Sequence, residues 1–350
     1  MTGDVVLAGA SLSLSGSLSV QGKQAHRGLK LWATSAGADG IVVGGAKRPV
    51  ELVVFDDESK PARARRNTEK LLEDGAEILF GPYGSAAGRA VASLAHERGV
   101  LVWNHGAAAD DVARAGVITL PTPASGYFVK VVEFAWARGC TSAVLLEADT
   151  PFTETVADGA SERAASLGMT VERHHVGRKA GPRQPLEAVA SKGRAVLLCG
   201  SLQDDIDGVA ALRAARSEPC LIAALGAGVA AFGAALGERA VGVLGPSQWE
   251  PDAAPVDVGP TSTEAVALYR GRYGESPDYV AIQAWASGVL AEAALTRAGT
   301  DPEVIWTWAL SWRGRTLYGD FAIDRHGRQI GHQIQVVQWN DEGHREVLTS

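Results

Sequence analysis

A loop at residues 79–88, LFGPYGSAAG, combines several glycines with one serine, Ser85. An apolar run ends where this loop starts, and residues that can begin a helix follow it. A serine at a helix N-terminus places its hydroxyl beside backbone N–H groups that have no helical partner. Three functions fit such a loop: phosphate binding, nucleophilic attack by Ser85, or reversible binding of a carboxylate or amide.

The first two functions lack the residues that they need. GPYGSAAG has no lysine at the P-loop position, and GASLSLSGSLSVQG (9–22), after the first predicted strand, lacks the G-x-G-x-x-G spacing. PYGSAAG also departs from the G-x-S-x-G pattern of a nucleophilic serine, and the histidines suggest no catalytic triad. We therefore predict no catalytic residue, and a Ser85-dependent hydrolase is kept as the third alternative.

Metal binding has equally little support from the sequence. The acids DDE at 56–58 follow a predicted strand, but no D-x-D-x-D-G spacing accompanies them. Such acids more often cap a helix or bond loop amides. Cys140, Cys199 and Cys220 form no zinc spacing and allow at most one disulfide, and Cys199 in AVLLCG is expected in a core. We predict no metal and no cofactor.

Composition indicates a globular chain of more than one domain. It has 350 residues, which is about the length of two domains, and 46% of them are hydrophobic. The net charge of −7 argues against nucleic-acid binding, which requires clustered basic residues. The one basic cluster, ARARR at 62–66, is expected on the solvated face of a helix. No stretch of about twenty apolar residues is present.

The chain alternates predicted strands with amphipathic helices, which is typical of βαβ units and parallel sheets. The first set comprises the strands Val5–Gly9, Glu51–Asp56, Ile78–Gly81 and Leu101–Asn104 and the helices Gln24–Ala36, Pro61–Asp74 and Ala87–Arg98. The second comprises the strands Ser142–Glu147, Thr170–His175, Ala195–Cys199, Leu221–Ala224 and Val241–Leu244 and the helices Gly126–Arg138, Thr153–Leu167, Asp204–Ala215 and Val229–Leu236.

Two such sets predict an α/β fold with two lobes and a ligand cleft between them. LPTPASG (120–126) and LGPSQWEP (244–251) are candidate crossovers between the lobes. Two helices, Ser262–Tyr273 and Tyr279–Ala298, follow, and alternation around Asp324–Gly327 predicts a hairpin with its turn at DRHG. The predicted boundaries are 1–121 and 250–325 for lobe 1, and 122–249 and 326–350 for lobe 2.

Four stretches, in order along nearly the whole chain, resemble one family. They are VVLAGASLSLSGSLSVQGKQAHRGLKLWA, ELVVFDDESKPARARRNTEKLLEDGAEILFGPYGSAAGRAVASLAHERGVLVWNHGAA, YRGRYGESPDYVAIQAWASGVLAEAAL and GDFAIDRHGRQIGHQIQVVQW. The family is that of the type I periplasmic binding proteins of the leucine/isoleucine/valine class, the receptors of ABC importers. The resemblance implies two Rossmann-like lobes joined by three crossovers, with hinge closure on a ligand.

The resemblance also implies where ligand-binding residues lie. The family's serine falls on Ser85 or Ala86, its second loop on 106–108, and its first-loop aromatic near Gln21. Its two lobe-two tyrosines fall on Phe152 and near Leu202. The full set of candidates is Ser15, Gln21, Tyr83, Ser85, Ala86, Trp103, Asn104, Gly106, Ala107 and Ala108 in lobe 1, and Asp149, Phe152, Leu202, Gly226 and Trp249 in lobe 2.

The chain departs from the family where an amino-acid ammonium group would be held. The family's lobe-two carboxylate falls near Gly226, which has no charge, and Ala108 has no hydroxyl. Asp149 or Glu147 could replace the missing acid. The family's disulfide positions fall on serines, Ser59 and Ser85.

The tryptophans bear on the kind of ligand. Trp103 and Trp249 lie near the predicted cleft, where rigid aromatic rings favour a flat or apolar ligand. Trp103 fits a place in the core equally well.

The partners implied are a small-molecule ligand, an amino acid or other small carboxylate, and a membrane permease of an ABC importer. We expect no nucleic-acid partner and, by family habit, a monomer. The expected location is periplasmic or extracellular, free or as a tethered lipoprotein, with the signal segment absent from this chain. The alternative is a cytoplasmic sensor of amides or amino acids on the same fold.

Overall fold

The computed structural model describes residues 5–176, 193–215 and 218–349, apart from the side chains of residues 38 and 39. Met1, on which the expectation about export depended, lies outside the described residues. The chain divides into two compact units. The first unit is Met1–Thr122 with Pro251–Gln333, and the second is Pro123–Glu250 with Ile334–Ser350.

Residues 326–333 cluster with the first unit, whereas the sequence placed them in lobe 2. Two hydrogen bonds attach them there. The Gln329 amide donates to the carbonyl of Leu120 at 3.1 Å, and Thr122 and His332 share a bond of 2.7 Å.

The first unit is built on a parallel sheet. Its strand order is β4-β1-β5-β6-β7, with β1 Val6–Leu12, β4 Val50–Asp56, β5 Ile78–Phe80, β6 Val102–Asn104 and β7 Val117–Thr119. Its helices are α1 Ser19–Asp39, α2 Pro61–Glu73, α3 Ser85–Arg98, α8 Ser262–Tyr273, α9 Tyr279–Ala298 and α10 Pro302–Ser311. Two antiparallel pairs complete it: β2 Ile41–Val43 with β3 Ala46–Arg48, and β13 Gly314–Thr316 with β14 Gly319–Phe321.

Glycines allow α1 and α9 to pack unusually close together. A Cβ atom at Gly28 would lie 2.0 Å from the carbonyl oxygen of Ala281, and one at Gly288 would lie 2.3 Å from the Trp32 ring. Real side chains cannot approach so closely, so any larger residue at either position would force the helices apart.

The second unit is a seven-stranded sheet in the described part of the chain. Its order is β16-β15-β12-β11-β10-β8-β9, with β8 Ser142–Glu147, β9 Thr170–His175, β10 Arg194–Cys199, β11 Leu221–Ala224, β12 Leu244–Ser247, β15 Gln335–Trp339 and β16 Arg345–Leu348. The described helices are α4 Val129–Ala137, α5 Pro151–Ser166, α6 Leu202–Ala214 and α7 Ala230–Leu236. The last two strands, β15 and β16, run antiparallel to their neighbours.

Both faces of this sheet are covered, as expected of parallel strands. Leu145 and Leu197 belong to one buried cluster, and Val144 and Val196 belong to another on the opposite face. This placement explains why β8 and β10 are almost continuously apolar.

The mixed α/β class with parallel sheets is confirmed, and many elements lie where the sequence predicted them. The bounds of β8, β9, β11, α8 and α9 agree with the prediction to the residue. Sequence reasoning missed several short elements, namely β2, β3, β7, α10, β13 and β16.

Two predicted elements are wrong in part. The turn at Asp324–Gly327 exists, since Gly327 N–H donates to the Asp324 carbonyl at 2.9 Å. It is flanked by an isolated antiparallel bridge between Ile323 and Gln329 and not by two strands. The flanking strands pair elsewhere, β14 with β13 and β15 with β12 and β16. The strand predicted at Val241–Leu244 instead begins at Leu244.

The cysteines behave as the sequence predicted. Cys140 and Cys220 form a disulfide across a sequence separation of 80 residues, and Cys199 is a buried free thiol. Within the described residues, no helix has both the length and the apolar character needed to cross a membrane.

Replacing Cys140 and Cys220 with serine should lower the free energy of unfolding by about 3–5 kcal/mol, because the bridge closes a long loop in the unfolded chain. Urea denaturation with and without dithiothreitol measures this. The reductant should weaken the wild type and leave the double variant unchanged. Equal stability of the two oxidised proteins would contradict the prediction.

Candidate ligand-binding site

Two of the loops singled out in the sequence lie side by side in the first unit. Strand β5 pairs with both β1 and β6, so the loops at their carboxyl ends share one edge of the sheet. Tyr83 and Gly106 form a parallel bridge, and Gly84 N–H donates to the Gly106 carbonyl at 3.2 Å. The two loops therefore form one continuous surface.

Ser85 is the first residue of α3, as the loop composition suggested. The residue before it, Gly84, has φ +92° and supplies no side-chain cap, and a Cβ there would lie 2.7 Å from a Leu18 methyl group. The N–H groups of the first turn therefore have no helical partner, and the positive end of the helix dipole faces this loop. The Ser85 hydroxyl accepts a bond from Ala109 N–H at 3.2 Å and keeps its own proton to donate. Ala86, the next residue, is exposed.

Asn104 shapes the second loop from within. Its side-chain oxygen accepts from Ala107 N–H at 2.9 Å, and its amide nitrogen donates to the Ala107 carbonyl at 2.8 Å. Asn104 is only 2% exposed, so its side chain holds the loop rather than facing solvent. Ala107 and Ala108 are also buried. Burial lowers the pKa of the neighbouring His105 to about 4, so that ring is neutral at physiological pH.

Asp56 holds the first loop of this unit. One of its oxygens accepts from Leu14 N–H at 2.9 Å and from Ser15 N–H at 3.2 Å. The other accepts from the Ser15 hydroxyl at 2.7 Å. Ser15 is thus exposed but already bonded to an acid, and Gln21 lies half-buried in the first turn of α1.

Asp57 performs the same task deeper in the unit. Fully buried, it accepts from the Ser13 hydroxyl at 2.6 Å and from Ser59 N–H at 2.8 Å. Glu58 and Ser59 have φ of 53° and 59°, a conformation that non-glycine residues seldom adopt without support. The interpretation that these acids bond loop amides is confirmed. Among the described residues, no cluster of three or more His, Cys, Asp or Glu residues could hold a metal ion.

A pair of tyrosines adjoins the same surface. The hydroxyls of Tyr83 and Tyr279 lie 2.7 Å apart, and burial raises the pKa of Tyr83. Tyr279 is the first residue of α9 and is not among the residues that the sequence predicted. Its position in the resembling stretch SPDYVAIQAW was the available signal.

Trp103 takes the core position that the sequence left open. It is 4% exposed and lines a cavity of about 160 Å³ together with Leu295 and Ile305. That cavity also includes Ile78 and Leu101, at the amino-terminal starts of β5 and β6. The Trp103 ring therefore packs away from the loops around Ser85.

Both acids that could replace the missing ammonium partner already have partners in the second unit. Glu147 is fully buried and receives two bonds from Arg173, at 2.7 and 2.9 Å. The expectation that Glu147 could face a ligand is therefore corrected. Asp149 is exposed, and one of its oxygens lies 3.1 Å from Nδ1 of His175.

Apolar candidates follow the strand ends of the second unit. Phe152 follows β8 and meets Tyr127 edge-to-face at 5.5 Å. Leu202 follows β10, and its methyl group would lie 3.0 Å from a Cβ at Gly226, which follows β11. Trp249, after β12, is 7% exposed. Because β8, β10 and β11 are adjacent, Phe152, Leu202 and Gly226 share one edge of the sheet.

A buried acid, Asp205, lies behind these loops and was missed by sequence reasoning. It is 1% exposed and accepts from Gly200 N–H at 2.9 Å and Gly226 N–H at 2.7 Å. Burial raises its pKa from 3.8 to about 7, although backbone hydrogen bonds at Gly226, Gly200 and Leu225 oppose that shift. In the sequence, the acids at 204–205 indicate only the start of a helix.

The stability contributed by Asp205 should fall as pH rises. The unfolded carboxyl loses its proton near pH 3.8, whereas the folded one keeps it to about 7, so the unfolded state binds fewer protons between these values. Relative to Asp205→Asn, the wild type should lose on the order of 3 kcal/mol between pH 4 and 7. Urea denaturation at several pH values measures the difference. Asp207→Asn, an exposed change on α6, is the control, and parallel curves for Asp205→Asn and wild type would refute the assignment.

Comparisons with known proteins agree with this architecture. A match to the family described as "Periplasmic binding protein" covers residues 6–344. The comparison with curated proteins gave no match.

Solved structures share the fold at low sequence identity. The leucine-binding protein LivK of Thermotoga maritima has 19% identity and a TM-score of 0.83, with 99% of this chain and 98% of that chain covered. LivJ of Streptococcus pneumoniae, in complex with isoleucine, has 19% identity and a TM-score of 0.81, with 98% and 99% covered. A solute-binding protein of R. palustris, in complex with benzoate, has 21% identity and a TM-score of 0.80, with 98% and 95% covered.

Each of these similarities establishes the fold, and the family match spans nearly all of the sequence. The chain forms two α/β units and passes between them three times. The chain belongs to the periplasmic binding protein family.

Proposed function

We propose that this protein is the solute-binding component of an ABC importer and that it binds a small carboxylate-bearing ligand without chemical change. The observation that carries the proposal is the α3 N-terminus. Ser85 begins this 14-residue helix, and Gly84 before it offers no side-chain cap. The loop of Gly106 lies directly beside it.

The ligand carboxylate is held by neutral donors. The unpaired N–H groups of the first turn of α3 and the Ser85 hydroxyl donate to its oxygens, and the helix dipole adds favourable electrostatics. Hydrogen bonds to an ionised acceptor are stronger than neutral ones, so a few such donors suffice. Ser85 is held in place for this task by its bond from Ala109 N–H.

The ligand we favour is an aromatic or aliphatic acid that lacks an ammonium group. Gly226 carries no charge at the position where the resemblance places the ammonium-binding acid, and Glu147 is occupied by Arg173. Phe152 and Leu202 add apolar surface on the same sheet edge. The R. palustris relative in complex with benzoate supports this class, whereas LivJ in complex with isoleucine supports an amino acid. For an amino-acid ligand, the exposed Asp149 is the remaining candidate partner of the ammonium group.

The disulfide supports a location outside the cytoplasm. Disulfides persist in oxidising compartments such as the periplasm and are rare in the cytosol. The Cys140–Cys220 bridge therefore favours an importer receptor over a cytoplasmic sensor on the same fold. In this role, hinge closure on the ligand produces the conformation that a membrane permease recognises.

A thermal-shift screen of the purified protein should identify the ligand class. A ligand present at 100 times its Kd adds about 2.7 kcal/mol of stability, which raises the melting temperature visibly. We expect shifts from aromatic or aliphatic carboxylates that lack an amine. If α-amino acids alone shift the melting temperature, Asp149 or another acid contacts the ammonium group. Shifts from neutral sugars alone would contradict carboxylate binding.

Ser85→Ala should weaken binding of the ligand found in that screen by about 1–2 kcal/mol, because the carboxylate loses one hydroxyl donor. Isothermal titration calorimetry measures the loss. Ser93→Ala, a half-buried serine on the same helix, is the matched control and should leave affinity unchanged. Unchanged affinity in Ser85→Ala, with Ser93→Ala also unchanged, would remove Ser85 from the site.

A further inference from the structure

A single carboxylate connects two ligand-facing loops of the second unit. Asp205 lies in the first turns of α6, and its two oxygens bond separately to Gly200 N–H and Gly226 N–H. Gly200 follows β10 and Gly226 follows β11, two strands that are neighbours in the sheet. The carboxylate therefore bridges the two loops just beyond the ends of the paired strands.

The surroundings leave little room for another arrangement. A Cβ at Gly200 would lie 2.6 Å from Cβ of Asp204, and a Cβ at Gly226 would lie 3.0 Å from a Leu202 methyl group. Asp204 reinforces the same loop, because its carboxylate accepts from the Ser201 N–H and hydroxyl at 3.0 and 2.6 Å. Leu202 therefore packs against Gly226 at the start of a helix whose N-terminal loop is held by Asp204 and Asp205.

We infer that Asp205 is a positioning residue of the ligand-binding surface, which holds Leu202 and Gly226 in their binding arrangement only while both of its oxygens accept backbone bonds. This inference rests on the proposed function, since it treats Leu202 and Gly226 as ligand-facing. Asp205 itself is buried, so it acts through the two loops that it bonds.

Asp205 can accept both backbone bonds only when its side chain is ionised. A carboxylate accepts at both oxygens, whereas a protonated carboxyl turns one of them into an O–H donor that faces a backbone N–H. Protonation therefore releases one loop. The burial that raises the pKa of Asp205 to about 7 brings this change into the range around neutral pH.

Several charged or titratable groups surround Asp205. Asp204 lies on its own helix and raises the pKa of Asp205. The Cys199 thiol on β10 interacts with Asp205, Glu147 on β8 and Arg173 on β9, and burial keeps that thiol protonated. Among the described residues, no cation forms an ion pair with Asp205, so its titration is governed by burial, by backbone hydrogen bonds and by the charge of Asp204.

Hydrogen exchange of the ligand-free protein tests the inference without any ligand. Exchange at the Gly200 and Gly226 amides, corrected for intrinsic rates, should be slower at pH 8 than at pH 5.5 in the wild type. In Asp205→Asn, the amide group presents N–H to one loop, so one of the two amides should exchange at least about fivefold faster at pH 8. Asp207→Asn, exposed on the same helix, should behave as the wild type.

Affinity at the same two pH values is the second measurement, with benzoate and L-leucine as probes. For a probe that binds, wild-type affinity should fall about tenfold from pH 8 to 5.5, and Asp205→Asn should show the lower affinity at both. Unchanged exchange and a pH-independent wild-type affinity would overturn the role of Asp205. If neither probe binds, the proposed ligand class fails, and the exchange data still decide the inference. If Asp205→Asn does not fold, the pH dependence of wild-type exchange decides it.

Discussion

Loops that follow parallel strands leave backbone N–H groups without a partner in the sheet, and the rest of this structure depends on how these groups are satisfied. Four side chains do most of this work at the strand ends: Asp56, Asp57, Asn104 and Asp205. Each of these side chains is short, and each accepts two or more hydrogen bonds that hold the loop after a strand in place. Asp57, Asn104 and Asp205 are buried beneath the loops that they bond, and Asp56 is half-buried.

The N-termini of α3 and α6 differ in whether a side chain caps them. Helix α6 of the second unit is capped by Ser201, whose hydroxyl accepts from Asp204 N–H. In return, the Ser201 N–H donates to the Asp204 carboxylate. Helix α3 begins after Gly84 instead, which offers no side-chain cap. The N-terminus of α6 is thus closed by its own residues, whereas that of α3 is not. This difference is the basis of the proposal that a ligand carboxylate binds to the first unit.

Periodicity and composition predicted the fold well because they report which residues are buried locally. Strands β8, β9 and β11 were predicted to the residue, since apolar runs between helices have few other interpretations. Strand partners were harder, because the residues around Asp324–Gly327 alternate as a hairpin would but pair with β13 and β12. Contacts among the candidate site residues could not be predicted from the sequence. Arg173 donates to Glu147 and Gly226 N–H donates to Asp205, and these partners are 26 and 21 positions apart in the sequence. Local sequence patterns do not indicate such contacts.

The single free thiol has a practical consequence. The sequence has three cysteines, two of which form the disulfide, and the third, Cys199, is buried with a thiol pKa raised well above its usual value. A thiol of this kind reacts poorly with alkylating dyes. A cysteine introduced on an exposed loop position would therefore be the preferred site of attachment for a fluorophore. The native chain is in this respect already suited to conversion into a reagentless optical sensor for its own ligand.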